Sequence, residues 1–379
     1  RLTSDSRRAA PGAAFFAWPG AAGDGRRHIA QAIERGCAAV LWESEGYSWD
    51  SRWKVPNAPV KELKTRAGLL AHEFYGRPSE SIWVCGVTGT NGKTSCSQWL
   101  AHLLSLKDIK TGVIGTLGSG FPGFLSENPN TTPEALELHR TLAEMKRAGA
   151  AAVAMEVSSH GLDQGRVDGV AFDCALFTNL THDHLDYHGG MAAYAAAKAR
   201  LFDAPGLGTA VLNLDDPFGV QLAERLGARG LRTIGYGFSK PVVAEFIGVE
   251  SLEGNRASIH SSWGNASAKI PQLGRFNISN ALGVLGCLIA KGIPFAEGVK
   301  LLEQLPAVPG RMQTIGERPL VVVDYAHTPD ALEQVLGALQ PVARARGGRL
   351  VAVFGAGGGR DAAKRPQMGL AASRRADRL

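Results

Sequence analysis

A chain of 379 residues is too long for one hydrophobic core and implies two or three domains. Its 45% apolar and 20% charged residues are ordinary for a globular protein, and its longest apolar runs are strand-sized, which argues against a transmembrane helix. The net charge of +6 comes from dispersed Lys and Arg, so phosphorylated small molecules are expected partners and nucleic acid is not. Five scattered cysteines without a Cys-x-x-Cys spacing predict reduced core thiols in a cytoplasmic protein, not disulfides or a zinc site. No signal region and no initiator Met open the chain, which is expected to start inside a longer product.

Residues 1–62 predict a small α/β unit, with strands at 14–18 and 38–42 and a helix at 29–35 closed by Gly36. From 63 to 308 strands and helices alternate, which implies a mostly parallel sheet. Strands are predicted at 82–87, 112–116, 151–157, 172–178 and 209–213, and helices at 94–106, 133–148, 190–203 and 216–226. Thr132 is the predicted N-cap of the helix at 133, with Pro133 in its first position. Short strands over 242–270 and helices at 277–291 and 295–304 complete this unit. After a linker marked by Pro306 and Pro309, a strand at 320–324, a helix at 330–339 and a strand at 350–354 restart the alternation within residues 309–379. Two strands make a poor independent α/β domain, so the chain is expected to continue beyond Leu379.

The most informative run is Gly86-Val-Thr-Gly-Thr-Asn-Gly-Lys-Thr94, between an apolar strand and a helix. Such a junction cradles phosphate: backbone N–H groups and the helix N-terminus hold the anion, Lys93 pairs with it, and the Thr94 hydroxyl suits Mg²⁺. Val87 stands where the P-loop pattern places its first glycine. Glu156 is a lone carboxylate at the end of an apolar strand, the sheet edge where ligands collect, and is a candidate Mg²⁺ ligand. The cluster Thr178-Asn-Leu-Thr-His-Asp-His-Leu-Asp-Tyr-His188 follows the next strand and favours metal–phosphate chemistry over zinc hydrolysis, with one His as ligand. By itself Lys198 reads as a solvated helix lysine, and Gly355 to Asp361 as a βα turn or a carboxylate clamp through Arg360.

Together with Asp5-Ser-Arg7, Asn130-Thr-Thr132, Met155-Glu-Val-Ser-Ser-His-Gly161, Gly310-Arg-Met312 and Asp324-Tyr-Ala-His-Thr-Pro-Asp330, these runs resemble the Mur ligase family along essentially the whole chain. The family makes amide bonds with ATP in peptidoglycan synthesis, and the resemblance is strongest to the member that adds the third stem-peptide residue. It implies a three-domain architecture: an N-terminal UDP-binding domain at 1–62, a central ATP-binding domain with a P-loop-type, mostly parallel sheet at 63–308, and the start of a Rossmann-like amino-acid-binding domain at 309–379.

The resemblance also assigns roles. Gly89, Thr90, Asn91, Gly92, Lys93, Thr94 and Ser95 would hold the ATP phosphates, and Asn280, Asp324 and His327 would face ATP. Thr94 and Glu156 would bind one Mg²⁺; His184 and a carbamylated Lys198 would serve a second. Ser4, Ser6, Asn130, Thr131, Thr132, Ser158, Gln164 and Arg166 would hold UDP-N-acetylmuramoyl dipeptide, and Arg360 the incoming diamino acid. Ala21-Ala22-Gly23 stands where polar uridine contacts are expected. The implied enzyme is a cytoplasmic monomer without membrane or nucleic-acid partners, taking meso-diaminopimelate in preference to lysine. The motif that selects the amino acid would lie beyond Leu379. Two other readings remain: folylpolyglutamate synthase, whose loop usually inserts a glycine before the hydroxyl residue, and a non-catalytic nucleotide-binding module.

Overall fold

The computed structural model describes residues 1–20, 23–238, 243–253, 255–356 and 364–379. Its centre is an eleven-stranded sheet. In spatial order the strands are Phe124–Ser126, Gly118–Phe121, Thr111–Gly115, Ala152–Glu156, Trp83–Thr88, Cys174–Phe177, Thr209–Asn213, Arg232–Gly237, Glu245–Glu253, Arg256–Ser261 and Gly264–Lys269. The inner strands, from Thr111–Gly115 across to Glu245–Glu253, all pair in parallel. Antiparallel hairpins finish both edges. Fully buried runs such as Ala152-Val-Ala-Met155 follow from this placement, because both faces of a parallel sheet are covered.

One face is covered by the helices Lys93–Ser105 and Arg275–Ala290, in a core that includes Trp99, Leu100, Leu282 and Leu285. The other carries Leu138, Leu142, Phe172 and Leu222 from the flanking helices and turns. The sulfurs of Cys85, Cys174 and Cys287 lie within 4.8 Å of one another in the first core. The parallel strands point their C-terminal ends at one edge, which gathers Thr88, Glu156, Phe177 and Asn213.

The N-terminal residues form a separate four-stranded sheet, Leu2–Thr3, Ala14–Ala17, Ala39–Glu43 and Asn57–Val60. The helix Leu63–Phe74, which periodicity left unassigned, is the bridge between units. Leu63, Ala67 and Ala71 share a core with Leu2 and Phe16 of the small sheet and Leu136 of the central unit.

Three local expectations are corrected. The helix predicted at 133 runs over Ala135–Arg147 with Glu134 at its N-cap position. Thr132 is drawn into the interior instead, donating to the Glu156 carbonyl at 3.0 Å. The helix predicted over 190–203 ends at Ala199 and tightens into a 3₁₀ turn at Arg200–Asp203. The strand predicted over 350–354 is reduced to one bridge, Val351 with Arg378. Val353 is 95% exposed, so β-branched propensity finds no neighbouring strand among the described residues to pack against. Among the described residues after 309, the hairpin Gln313–Ile315 with Val321–Val323 and the helices Pro329–Ala345 and Lys364–Arg375 make up the unit.

His139 reports on the central unit's stability. Its Nε2 donates to the Asp168 carbonyl at 3.0 Å, and its Nδ1 is buried without a partner. Burial pushes this imidazole down to about 4, opposed by the Asp168 hydrogen bond. The unfolded chain therefore takes up a proton between pH 6.5 and 4 while the folded chain does not. Stability present above pH 6.5 is lost through that window, by about 3 kcal/mol. His139→Gln should flatten this limb in urea unfolding measured across the same pH range.

Candidate active site

Glycine geometry sets the loop. Gly89 (φ 145°) and Gly92 (φ 87°) adopt left-handed conformations between the strand Trp83–Thr88 and the helix Lys93–Ser105. A Cβ on Gly89 would lie 1.8 Å from Thr178 Oγ1, and one on Gly92 2.5 Å from Asn280 Oδ1. The segment after the neighbouring strand forms a rail behind the loop. Thr90 N donates to Asn179 O at 2.8 Å, Asn91 N to Asn179 Oδ1 at 2.9 Å, and Thr178 Oγ1 to Asn91 O at 2.6 Å.

Two lysine side chains converge on this loop. Lys93 Nζ donates to the Gly89 and Thr90 carbonyls, each at 2.9 Å. Lys198, 1% exposed, donates to the same Gly89 carbonyl at 2.8 Å with its Nζ 4.4 Å from the Tyr194 ring centroid. Burial first, then the charge of Lys93, holds the Lys198 pKa well below its ordinary value, against the pull of Asp183. Burial lowers Lys93 as well, against Glu156. The reading of Lys198 as a solvated side chain is therefore corrected: tertiary packing closes over it.

Glu156 is 1% exposed. Its Oε1 accepts from Thr116 N at 2.7 Å, and its Oε2 from Thr94 Oγ1 at 3.0 Å and Thr116 Oγ1 at 3.2 Å. Arg311 Nη2 in turn donates to Thr94 Oγ1 at 2.9 Å. The turn at Val308–Arg311, with Gly310 at φ 65°, delivers that guanidinium from the linker. Thr94 and Glu156 thus offer hard oxygen donors in a buried setting, the donor set that suits Mg²⁺. Lys198 in its amine form is a hydrogen-bond donor and offers no such ligand.

Asp183, 2% exposed, is the centre of the third cluster. Its Oδ1 accepts from His184 N at 2.9 Å and from Lys364 Nζ. Its Oδ2 lies 3.3 Å from His184 Nε2 and 3.6 Å from His327 Nε2. Burial raises this carboxyl, but the His327 hydrogen bond and the charges of His184 and Lys364 outweigh it and hold it far below the carboxylate range. Burial pushes His184 down to about 4, against Asp183. His184 has φ 54°, unusual for a non-glycine residue, and stands before the short helix Leu185–His188. His188 Nε2 is 3.0 Å from Ser159 Oγ, a structural partner.

A chain of hydrogen-bonded polar side chains leads away from Glu156. Thr132 accepts from Ser158 N at 3.0 Å, and Ser158 Oγ caps the helix Ser159–Asp163. Arg166 donates to the Thr132 carbonyl at 2.8 Å and to Gln164 Oε1 at 2.6 Å, and pairs with Glu134 at 3.1 Å. Thr131 Oγ1 is 3.0 Å from Thr116 Oγ1, and Asn130 is half-buried beside it in sequence. Ser4 is exposed on the small sheet's unit, and Ser6 donates to Gln31 Oε1 at 2.7 Å. Arg360, Ala21 and Ala22 lie outside the described residues.

A cleft of about 550 Å³ opens beside the loop, lined in part by Asn91, Gly92, Ser95, Asn280, Arg311 and Asp324. Asp324 accepts from Met312 N at 2.7 Å, and burial raises its carboxyl. Of the residues expected to face a nucleotide, His327 has its Nε2 3.6 Å from Asp183 Oδ2. Thr116, Asn179, Asp183 and Arg311 were not assigned roles from sequence. Arg311 stood in the Gly-Arg-Met run, and Asp183 and Asn179 in the histidine cluster. Thr116 carried no signal, because only strand pairing sets it beside Glu156.

The family descriptions Mur ligase family, catalytic domain, at residues 1–75, Mur ligase middle domain at 87–288, and Mur ligase, glutamate ligase domain, at 310–379 all match. The chain belongs to the Mur ligase family. It is 50% identical to the UDP-N-acetylmuramoyl-L-alanyl-D-glutamate–2,6-diaminopimelate ligase of Janthinobacterium sp. (strain Marseille), over 97% of this chain and 75% of that protein. A solved structure of a ligase with the same description shares 34% identity and superposes with a TM-score of 0.77, covering 99% of this chain and 76% of that one. Folylpolyglutamate synthase of Mycobacterium tuberculosis, solved with ADP and AMPPCP, is similar in fold alone, at 18% identity and a TM-score of 0.60 over 73% of this chain and 70% of that one.

Gly115 is what leaves room for the central carboxylate, since a Cβ there would meet Glu156 Oε1 at 2.2 Å. Gly115→Ala should displace Glu156 and destabilise the central unit by about 1–3 kcal/mol, read as a lower urea midpoint with unchanged slope.

Proposed function

We propose that this chain is an ATP-dependent ligase that joins 2,6-diaminopimelate to UDP-N-acetylmuramoyl-L-alanyl-D-glutamate. The observation that carries the reading is the 50% identity, over 97% of the chain, to a relative named for that reaction. The relative's name favours diaminopimelate over lysine. We assign residues 1–62 to UDP binding, 63–308 to ATP binding and 309–379 to the amino-acid domain. The substrates are small molecules, and the enzyme acts as a cytoplasmic monomer.

In this reading the loop Gly89–Ser95 and Lys93 hold the ATP phosphates, and the cleft bordered by Asn280 and Asp324 takes the nucleoside. Arg311 supplies a second cation beside the transferred phosphate. Thr94 and Glu156 are the oxygen donors for Mg²⁺, which would neutralise charge on the phosphates. The neutral amine of Lys198, favoured by its burial, is the form that adds CO₂: the nitrogen bonds the carbon and releases a proton. The resulting carbamate would join His184 as a second ligand pair.

The wall of Asn130, Thr131, Thr132, Ser158, Gln164 and Arg166 orients the dipeptide end of the UDP-sugar, with Ser4 and Ser6 at its far end. The D-Glu side-chain carboxylate attacks the γ-phosphorus, and the bond to ADP breaks. An amine of the diamino acid, held by Arg360, attacks the carbonyl of this acyl phosphate. The amine proton is lost, phosphate leaves and an amide remains. Positioning and exclusion of water are the protein's contribution.

ATP-dependent phosphate release, in a chain extended to the length of its relatives, tests the reading. Release should require the UDP-dipeptide together with diaminopimelate, and lysine should not replace the latter. Release only with a folate and glutamate would transfer the chain to folylpolyglutamate synthases; no release with any pair would leave a nucleotide-binding module. Lys198→Ala should lower turnover by about 10²–10³-fold, as for loss of a group that stabilises developing charge. Short carboxylates such as acetate should restore part of it, and full activity in the plain variant would refute the carbamylation.

A further inference from the structure

Asp183 is a carboxylate shared between two units. It sits in the central unit at the end of the sheet, yet two of its partners, Lys364 and His327, come from the residues after the linker. The Lys364 side chain is only 12% exposed and that of Asp183 only 3%. This is an enclosed pair, unlike the solvated surface bridges that contribute little. The helix Lys364–Arg375 that bears the lysine is anchored in its own unit, where Met368, Ala371 and Ala372 pack on Leu332, Leu336 and Ala352. The pair therefore forms only when that unit lies against the central one.

The same carboxylate oxygen also meets the backbone. Asp183 Oδ1, the atom that Lys364 grips, also accepts the His184 N–H at 2.9 Å. His184 occupies the left-handed region at φ 54°, where a non-glycine residue needs local support. Its ring is flanked by His160, with centroids 4.7 Å apart, so a shift of the backbone would move a packed imidazole.

We propose that Lys364 is a positioning residue: by holding Asp183 it fixes the His184 turn beside the phosphate loop, across the contact between the central unit and the residues after the linker. The inference rests on the proposed ligase reading for its catalytic consequence, but its structural half stands apart from it. Lys364 touches no substrate in this scheme; it acts through Asp183 on His184. The arrangement makes assembly of the metal- and phosphate-facing side conditional on the unit that carries the incoming amino acid.

The test compares Lys364→Met and Lys364→Arg with the parent chain, each extended to the length of its relatives. Four quantities are read: kcat and KM in the phosphate-release assay, the dissociation constant of a fluorescent ADP analogue, and hydrogen exchange of the amides over residues 182–188. Lys364→Met should lower kcat by about 10²-fold, leave ADP affinity within about threefold, and speed exchange at the His184 amide about tenfold. Lys364→Arg, which keeps the cation, should return kcat and exchange close to the parent values. Parent-like kcat and exchange in Lys364→Met would overturn the proposal. So would a matching loss of ADP affinity, which would indicate general unfolding of the site. If the parent chain itself releases no phosphate with the UDP-dipeptide, the ligase reading fails, while the exchange comparison still decides whether Lys364 holds the turn.

Discussion

The close approach of Gly89 to Thr178 is the constraint on which the site depends. With no Cβ at Gly89, two neighbouring strand ends come together and the loop is clamped onto the Thr178–Thr181 rail. The Gly89 carbonyl then faces inward and accepts both Lys93 and Lys198. Burial first, and then the neighbouring charge of Lys93, lower the Lys198 pKa, so one of the two donors on that carbonyl is favoured as the neutral amine.

Around this loop the chain places its charges as partners in a relay. Glu156 is bound by Thr94 and Thr116, Thr94 by Arg311, and Asp183 by Lys364 and His327. Arg311, Lys364 and His327 all follow the linker at Pro306 and Pro309 in the chain, so the C-terminal residues answer the carboxylate-bearing edge of the central sheet. Hydrogen bonds between the central sheet's edge and the residues after the linker thus satisfy groups that neither segment could satisfy alone.

Strong local signals were legible. The strand–glycine–Lys–Thr junction appears where the pattern puts it, and the parallel sheet follows from alternating apolar runs and helices. Failures came where tertiary contacts outbid local preference. Thr132 has the residue type and position of a helix N-cap, yet bonds across to Glu156 and Ser158, and the helix begins three residues later, at Ala135. Leu350 to Phe354 is as apolar as any inner strand but keeps only the Val351–Arg378 bridge among the described residues.

The sequence by itself determined the parallel architecture, the phosphate loop and the family, because these reside in short-range spacing: apolar runs, glycines that must take positive φ, and a lysine and threonine at a helix start. Only the tertiary structure decided which charges meet. Whether Lys198 is solvated or sealed, whether Arg311 reaches Thr94, and whether Lys364 answers Asp183 depend on packing between segments up to 217 residues apart. A side chain's charge is local, but its solvent and its partner are set by whatever else folds against it.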